Sequence, residues 1–450
     1  MAKKNIDMTH GTIWKQLLYF SLPLLVGYLF QQLYNTVDAV VVGNFVGKEA
    51  LAAVGTTGNV INAVVGFFMG LSTGAGVVLS HYFGARDEKG LHDTVHTTML
   101  LTFLSSLVAT ALGILLVPTL LNITKTPEDV YPLSDTYLTI YFAGLPGLMI
   151  YNMGSGLLRS VGDTRRPLYF LIFSALVNTV LDLLFVAVLG MGVAGVAWAT
   201  IIAEALSAIL VLIVLCRSKE SYRLILRDLR MNREIVSKIL QVGVPAGVQA
   251  AIISFSNAFV QSYINVFGSD IMAGYSSYSK LDQFIGLPLQ ALSMASTTFV
   301  GQNVGAKQPA RAKAGIRMSM ILGLSMTAVL IIPVVIFANA SVSLFNSDEN
   351  VVYWGARFLR YISPFYLLCC INNIMTGAIR GAGESKVPMF ITVGSFVVFR
   401  QIYLFVGTNY IINTPLFVAM GYPAGWFVCS TSVLLYYKLG GWDKRAGLVK

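Results

Sequence analysis

Long apolar blocks separated by short polar connectors fill this chain. Twelve blocks can be drawn, at about 15–42, 51–80, 94–118, 134–158, 166–189, 192–216, 239–266, 272–300, 314–338, 353–379, 387–410 and 414–437. A helix rises 1.5 Å per residue, so about 20 apolar residues cross the hydrocarbon layer of a bilayer, and each block is at least that long. The pattern predicts an all-α integral membrane protein with twelve transmembrane helices. The first ten residues are polar, and the first block is too long for a secretory leader and lacks a small-residue cleavage site, so no cleaved signal is expected.

Composition agrees: of 450 residues 56% are hydrophobic and only 12% charged, against about 25% charged in soluble domains. Cys216, Cys369, Cys370 and Cys429 lie in or at the ends of apolar blocks. They read as packing residues rather than a disulfide framework.

The net charge of +10 would suit a nucleic-acid binder, but its distribution points elsewhere. Lys and Arg gather at the N-terminus (Lys3, Lys4, Lys15), at the C-terminus (Lys438, Lys444, Arg445, Lys450) and in the even-numbered connectors, above all Arg217 to Lys238. The odd connectors hold Lys48 and Lys125, with Arg357 and Arg360 opening the tenth block. By the positive-inside rule both termini are expected in the cytoplasm, and the basic excess is a signal of topology in the lipid bilayer, with no nucleic acid as partner.

The chain also repeats itself at an offset of about 221 residues. Phe83-Gly84-Ala85-Arg86 matches Val304-Gly305-Ala306-Lys307, and the stretch from Leu158 to Pro167 matches Ile379 to Pro388. Six helices per repeat bring the second copy in with the same orientation. The expectation is two six-helix bundles related by a pseudo-two-fold axis along the membrane normal: an N-lobe at 1–216, a basic cytoplasmic linker at 217–238 and a C-lobe at 239–450. Such an architecture belongs to alternating-access transporters.

Against this background the intramembrane charges stand out, because an ionisable side chain at the bilayer centre costs at least about 2.5 kcal/mol. Asn178 and Asp182 are four residues apart and share a helical face. Counting from the outer connectors, Asp38, Asp182 and Thr200 all sit roughly 10–12 Å below the outer surface. Oxygens at one depth can bind a hard cation or share a proton. In the second repeat these positions align with Val260, Tyr403 and Cys429, so the scaffold does not demand the acids. Pro23 lies mid-span in the first helix and favours a bend there.

Gln31, Tyr34, Tyr141 and Asn152 in the first half are polar or aromatic on apolar helices and are candidates for lining a substrate cleft. In the second half Asn257, Gln261, Tyr278, Lys280, Asp282 and Gln283 are candidates of the same kind. Arg400 needs a structural partner. His92 and His96 are spaced four apart, but no third ligand is legible beside them, so no metal centre is expected. Residues 43–49 resemble a phosphate loop only loosely, and no nucleophile elbow or HExxH motif occurs. With neither enzyme nor motor chemistry legible, coupling to an ion gradient remains.

These residues resemble the multidrug and toxic compound extrusion (MATE) family over nearly the whole chain. The resemblance is carried by Pro23 and Asp38, Gly84-Ala85-Arg86, Arg159 with Gly162-Asp163-Thr164, Asn178, Asp182, Thr200, and Gln302 to Ala306. The opening Met8 to Lys15 and Ser279 to Phe284 are similar to the bacterial branch of Gram-positive multidrug exporters. The resemblance implies a V-shaped pair of bundles in the bacterial plasma membrane, and nothing in the sequence requires more than a monomer. It implies export of small amphipathic, cationic organic compounds against entering H⁺ or Na⁺, with no cofactor besides that ion. It places the cation site on Asp38, Asn178, Asp182 and Thr200 and the bend on Pro23. A C-lobe sodium site is in doubt, since the seventh helix offers Asn257 and Gln261 and the tenth Asn372 and Asn373, without a carboxylate. The alternative within the wider superfamily is a flippase for a lipid-linked sugar or other lipid.

Overall fold

In lipid a backbone polar group finds no water, so apolar runs of this length must satisfy their own N–H and C=O groups as helices. The computed structural model, which describes residues 5–124, 126–445 and 447, contains no strand among them. The first half comprises α1 (Ile13–Phe45), α2 (Lys48–Ala85), α3 (Glu88–Ile123), α4 (Tyr131–Ala143), α5 (Leu145–Ser160), α6 (Arg165–Asp182) and α7 (Gly192–Cys216). The second comprises α8 (Arg233–Asn265), α9 (Ser269–Gly305), α10 (Pro309–Ile336), the short α11 (Ala338–Ser343), α12 (Glu349–Ile362), α13 (Tyr366–Gly381), α14 (Lys386–Val393), α15 (Arg400–Val406), α16 (Pro415–Ala419), α17 (Gly421–Leu439) and α18 (Trp442–Arg445).

Eleven helical stretches among the described residues are long and apolar enough to cross a membrane. The fourth expected segment differs. It is two helices, α4 and α5, meeting at Gly144, with Pro146 in the first turn of α5. Proline brings no N–H to the preceding turn, and glycine holds a helix poorly, so the ladder breaks there. In α3 and α10 Leu107, Leu112, Leu115, Val329, Ile332 and Ile336 point outward. On a soluble protein such surface would be a liability; in a bilayer the solvent is equally apolar.

The repeat is present in the backbone itself. Arg86 and Lys307 both close a helix in the left-handed region, at φ 56° and 55°. Gly162 and Gly383 occupy matching positive-φ turns at 88° and 93°. Ser72 Oγ donates to the Asn152 carbonyl at 3.0 Å, and its counterpart Ser293 donates to the Asn373 carbonyl at 2.6 Å.

Two compact units result, and both are discontinuous. One comprises Met1–Asp7 and Val26–Gly247, the other Met8–Leu25 and Val248–Lys450. The change of unit falls inside α1 and inside α8, two residues after Pro23 and Pro245 respectively. The core of the first unit gathers around Leu79, Val95, Leu158, Val211 and Ile239. That of the second gathers around Phe358, Leu359, Tyr366 and Leu404. Within the first unit α2 and α8 cross on glycine: a Cβ added to Gly74 would lie 2.6 Å from the Gly243 nitrogen.

The linker of 217–238 is docked on the start of α3. Arg230 Nη2 meets Asp93 Oδ1 at 2.5 Å, and Thr97 Oγ1 donates to the Arg230 carbonyl at 3.3 Å. His96 is buried there, with Nδ1 2.7 Å from the His92 carbonyl and Nε2 accepting from the Ile225 N–H at 2.9 Å. The spacing of His92 and His96 thus serves to seat the linker. A His92–His96–Asp228 grouping lies close enough to approach one ion, but His96 has both ring nitrogens occupied by backbone.

Candidate functional site

The polar side chains that α1, α6 and α7 carry into the first unit form one cluster. Asn178 and Asp182, one turn apart on α6, are both fully buried. Asp38 from α1 faces Asp182 directly. Tyr34, one turn back along α1, lies beside Asp38 and beside Thr200 of α7. The Thr200 hydroxyl donates to the Val196 carbonyl at 3.0 Å, leaving its lone pairs for the cluster.

What distinguishes this cluster is its shortage of donors: the Tyr34 hydroxyl serves Asp38, and none serves Asp182. Both carboxylate oxygens of Asp182, Oδ1 of Asp38 and both amide atoms of Asn178 are buried with no hydrogen-bond partner. Neither Lys nor Arg is an electrostatic neighbour of the two acids among the described residues. Buried polar groups are almost always satisfied. Two anions side by side away from water are tolerable only with a proton or a metal cation between them. Carboxylate, amide and hydroxyl oxygens are also the donors that a hard cation takes, so the residues fit either ion.

One member was missed from the sequence. Glu204 follows Thr200 by one turn on the same face of α7, its Oε2 is buried and unpartnered, and Tyr34, Tyr141 and Tyr151 are its electrostatic neighbours. The signal was present, as a lone carboxylate in the apolar run from Val193 to Cys216.

Of the candidate cleft residues, Gln31, Tyr34, Tyr141 and Asn152 belong to the first unit and the other six to the second. Tyr141 stacks 6.3 Å from Tyr137, and Asn152 Nδ2 is bonded to the Leu148 carbonyl at 2.9 Å. Pro23 sits within a continuous α1. In the second unit Asp282 accepts from the hydroxyls of Tyr366 and, at 3.4 Å, Tyr278. Lys280 is exposed two residues before it, over the Phe345 ring at 5.5 Å. Gln261 is tied to Asn265 at 2.7 Å, and Gln283 is exposed. Arg400 finds its partners in Ser256 Oγ at 2.6 Å, Asn257 Oδ1 at 2.9 Å and the Tyr422 ring at 4.9 Å. The second unit's Asp282 therefore has two tyrosine donors, whereas in the first unit Asp182 has none and Asp38 has Tyr34 alone.

With the geometry in hand, comparison with known proteins is informative. The MatE family pattern matches residues 23–184 and again residues 245–406, one match in each repeat. The chain is 30% identical over 439 residues to "Probable multidrug resistance protein YpnP" of Bacillus subtilis (strain 168), with 98% of each chain covered. It is 29% identical over 443 residues to "Probable multidrug resistance protein YoeA" of the same organism, covering 96% of this chain and 95% of that one. It is 28% identical over 375 residues to "FAD transporter" of Shewanella oneidensis, at 81% of both chains. Among solved structures, one described as the outward-facing conformation of a multidrug resistance MATE family transporter of the MOP superfamily superimposes with a TM-score of 0.92 at 22% identity. The superposition covers 99% of this chain and all of the other, which establishes the fold. Proteins of this group are transporters rather than enzymes, and the present chain, spanning the membrane many times, belongs to the MatE family.

Proposed function

We propose that this protein is a secondary active exporter that moves small amphipathic, cationic organic compounds out of the cell in exchange for entering H⁺ or Na⁺. The observation that carries the reading is the donor-poor oxygen cluster of Asp38, Asn178 and Asp182, completed by Thr200. A cluster that fits a cation and lacks one of its own supplies the coupling step: it binds the ion from outside and releases it inside. The substrate class rests on the multidrug resistance relatives. The protein works in the bacterial plasma membrane with both termini cytoplasmic, a reading that the Lys and Arg distribution supports. It acts as a monomer, with the two repeats as its moving parts.

Pro23 removes one backbone hydrogen bond from α1 fifteen residues before Asp38, so ion binding at Asp38 bears on a helix already weakened at a defined point. Substrate contacts are assigned to Gln31, Tyr34, Tyr141 and Asn152 in the first unit. Asn257, Gln261, Tyr278, Lys280, Asp282 and Gln283 are their counterparts in the second.

The test uses purified protein in liposomes loaded with ethidium, under an imposed proton gradient or an imposed sodium gradient. Efflux driven by one gradient and abolished in both Asp38→Asn and Asp182→Asn is the expected outcome, and it identifies the ion. Efflux that persists in both variants would move the coupling site elsewhere. Dye that does not move under either gradient would favour the flippase.

A further inference from the structure

In the second unit α10, α13 and α17 line a groove of about 560 Å³. Its floor is apolar: Met375 is buried, and Met320 and Leu434 are partly so, packed on the core at that end of the unit. Its rim is basic. Lys313 and Arg317 stand one turn apart on the same face of α10, and Lys438 lies in the last turn of α17. Lys313 is neutralised locally by Asp443 at 2.8 Å. α18 holds that acid in place, because Trp442 is buried, stacks 5.3 Å from Tyr437 and donates to the Tyr437 carbonyl at 3.1 Å. Arg317 and Lys438 are exposed and pair with nothing among the described residues.

The vertical order of these groups is that of a phospholipid. Arg317 lies eight residues into α10, roughly 12 Å along its axis, and Lys438 closes α17. Arg317 is only three residues inside the apolar block that opens at 314 and Lys438 one residue past the block that closes at 437, so their long basic side chains reach headgroup depth. One turn deeper on each helix the charge gives way to hydrocarbon: Ile321, half exposed, follows Arg317, and Leu434 precedes Lys438. Basic clefts between membrane helices select anionic headgroups. We propose that this groove holds one anionic phospholipid, its phosphate between Arg317 and Lys438 and its acyl chains along Met320, Met375 and Leu434. The occupant is a lipid rather than a free phosphate because the apolar floor is continuous with the membrane-facing surface of α10. The assignment is independent of the ion-coupling reading, since it uses none of the same residues.

Native mass spectrometry of the full-length protein in detergent tests it, with phosphatidylglycerol or phosphatidylcholine added at equal concentration. Wild type is expected to retain one phosphatidylglycerol at least about ten-fold better than phosphatidylcholine. Removing two interfacial cations in Arg317→Gln/Lys438→Gln should weaken retention by about thirty-fold. Leu434→Trp, which fills the groove and leaves the charges intact, should lose the lipid as well and serves if the double variant fails to fold. Arg227→Gln/Arg233→Gln removes the same charge elsewhere and should bind as wild type does. Millimolar inorganic phosphate should not displace the lipid. Equal retention of the two lipids, undiminished retention in Arg317→Gln/Lys438→Gln or Leu434→Trp, an equal loss in Arg227→Gln/Arg233→Gln, or displacement by phosphate would overturn the proposal.

Discussion

A buried carboxylate oxygen without a donor is a cost to the fold, and this chain carries one at Asp38, one at Glu204 and two at Asp182 while sparing Asp282. The contrast separates acids kept for the coupling ion from an acid held in place by tyrosine hydroxyls. In the absence of a coupling ion, Asp182→Asn removes an uncompensated charge and should raise stability by about 1–2 kcal/mol, while gradient-driven efflux falls to background. Asp282→Asn should do the reverse. It weakens the acceptor for two tyrosine hydroxyls, so it should lower stability by about 1–3 kcal/mol and leave coupling in place. Thermal unfolding in detergent, read beside liposome efflux, gives both signs. Glu204→Gln belongs with the first group and should lower coupled efflux several-fold without loss of fold. The Asp38–Asn178–Asp182–Thr200 set was legible because helical spacing and depth bring those positions together. Glu204 was equally accessible to the same argument, being one turn beyond Thr200. Of the partners of Asp282, Tyr278 was accessible too, one turn back on the same helix, but Tyr366 was not, because it lies 84 residues away and only tertiary packing joins the two.

Elements were predicted well where a block is uniformly apolar and less well where it is interrupted. The break between α4 and α5 was available in Gly144 and Pro146, but hydropathy alone smooths over it. The π-helical turn of Leu183–Val188, directly after Asp182, has no such signature. A comparable turn at Gly407–Ile411 occupies a similar place in the second repeat, so it belongs to the scaffold rather than to the acids. Helix crossings were also illegible. Gly70 and Gly74 face Gly247 and Gly243 so closely that a Cβ at either would sit 2.6 Å or less from backbone. Gly74→Leu should therefore cost about 3 kcal/mol or prevent stable expression. Gly58→Ala, in the same helix with open space around it, should be neutral or slightly stabilising. Fluorescence-detected size exclusion after a heating series distinguishes the two, and equal behaviour would mean that the α2–α8 crossing is looser than its backbone distances require.

The molecule is a duplication whose halves share a backbone but not a chemistry. Matching left-handed caps at Arg86 and Lys307, and matching Ser72 and Ser293 bonds, show how little the scaffold has diverged. Yet Val260 and Tyr403 stand where the first repeat has Asp38 and Asp182. The repeat and the acids' confinement to one half were legible from sequence. The change of unit within α1 and α8 was not, since hydropathy does not record which neighbours each half of a helix packs against. The asymmetry has a thermodynamic consequence, because a ligand that binds only the folded state stabilises it by about 2.7 kcal/mol at a hundred times its dissociation constant. If the coupling ion binds in the first repeat alone, the melting temperature of wild type should rise with that ion, whether sodium is titrated at fixed pH or protons are titrated without sodium. The rise should vanish in Asp38→Asn and in Asp182→Asn. It should survive in Asp282→Asn, displaced to a lower baseline but with the same slope against the logarithm of ion concentration. A slope flattened by Asp282→Asn as well would mean that both repeats hold the ion, and that the tyrosine-bonded acid of the second repeat opens to receive it.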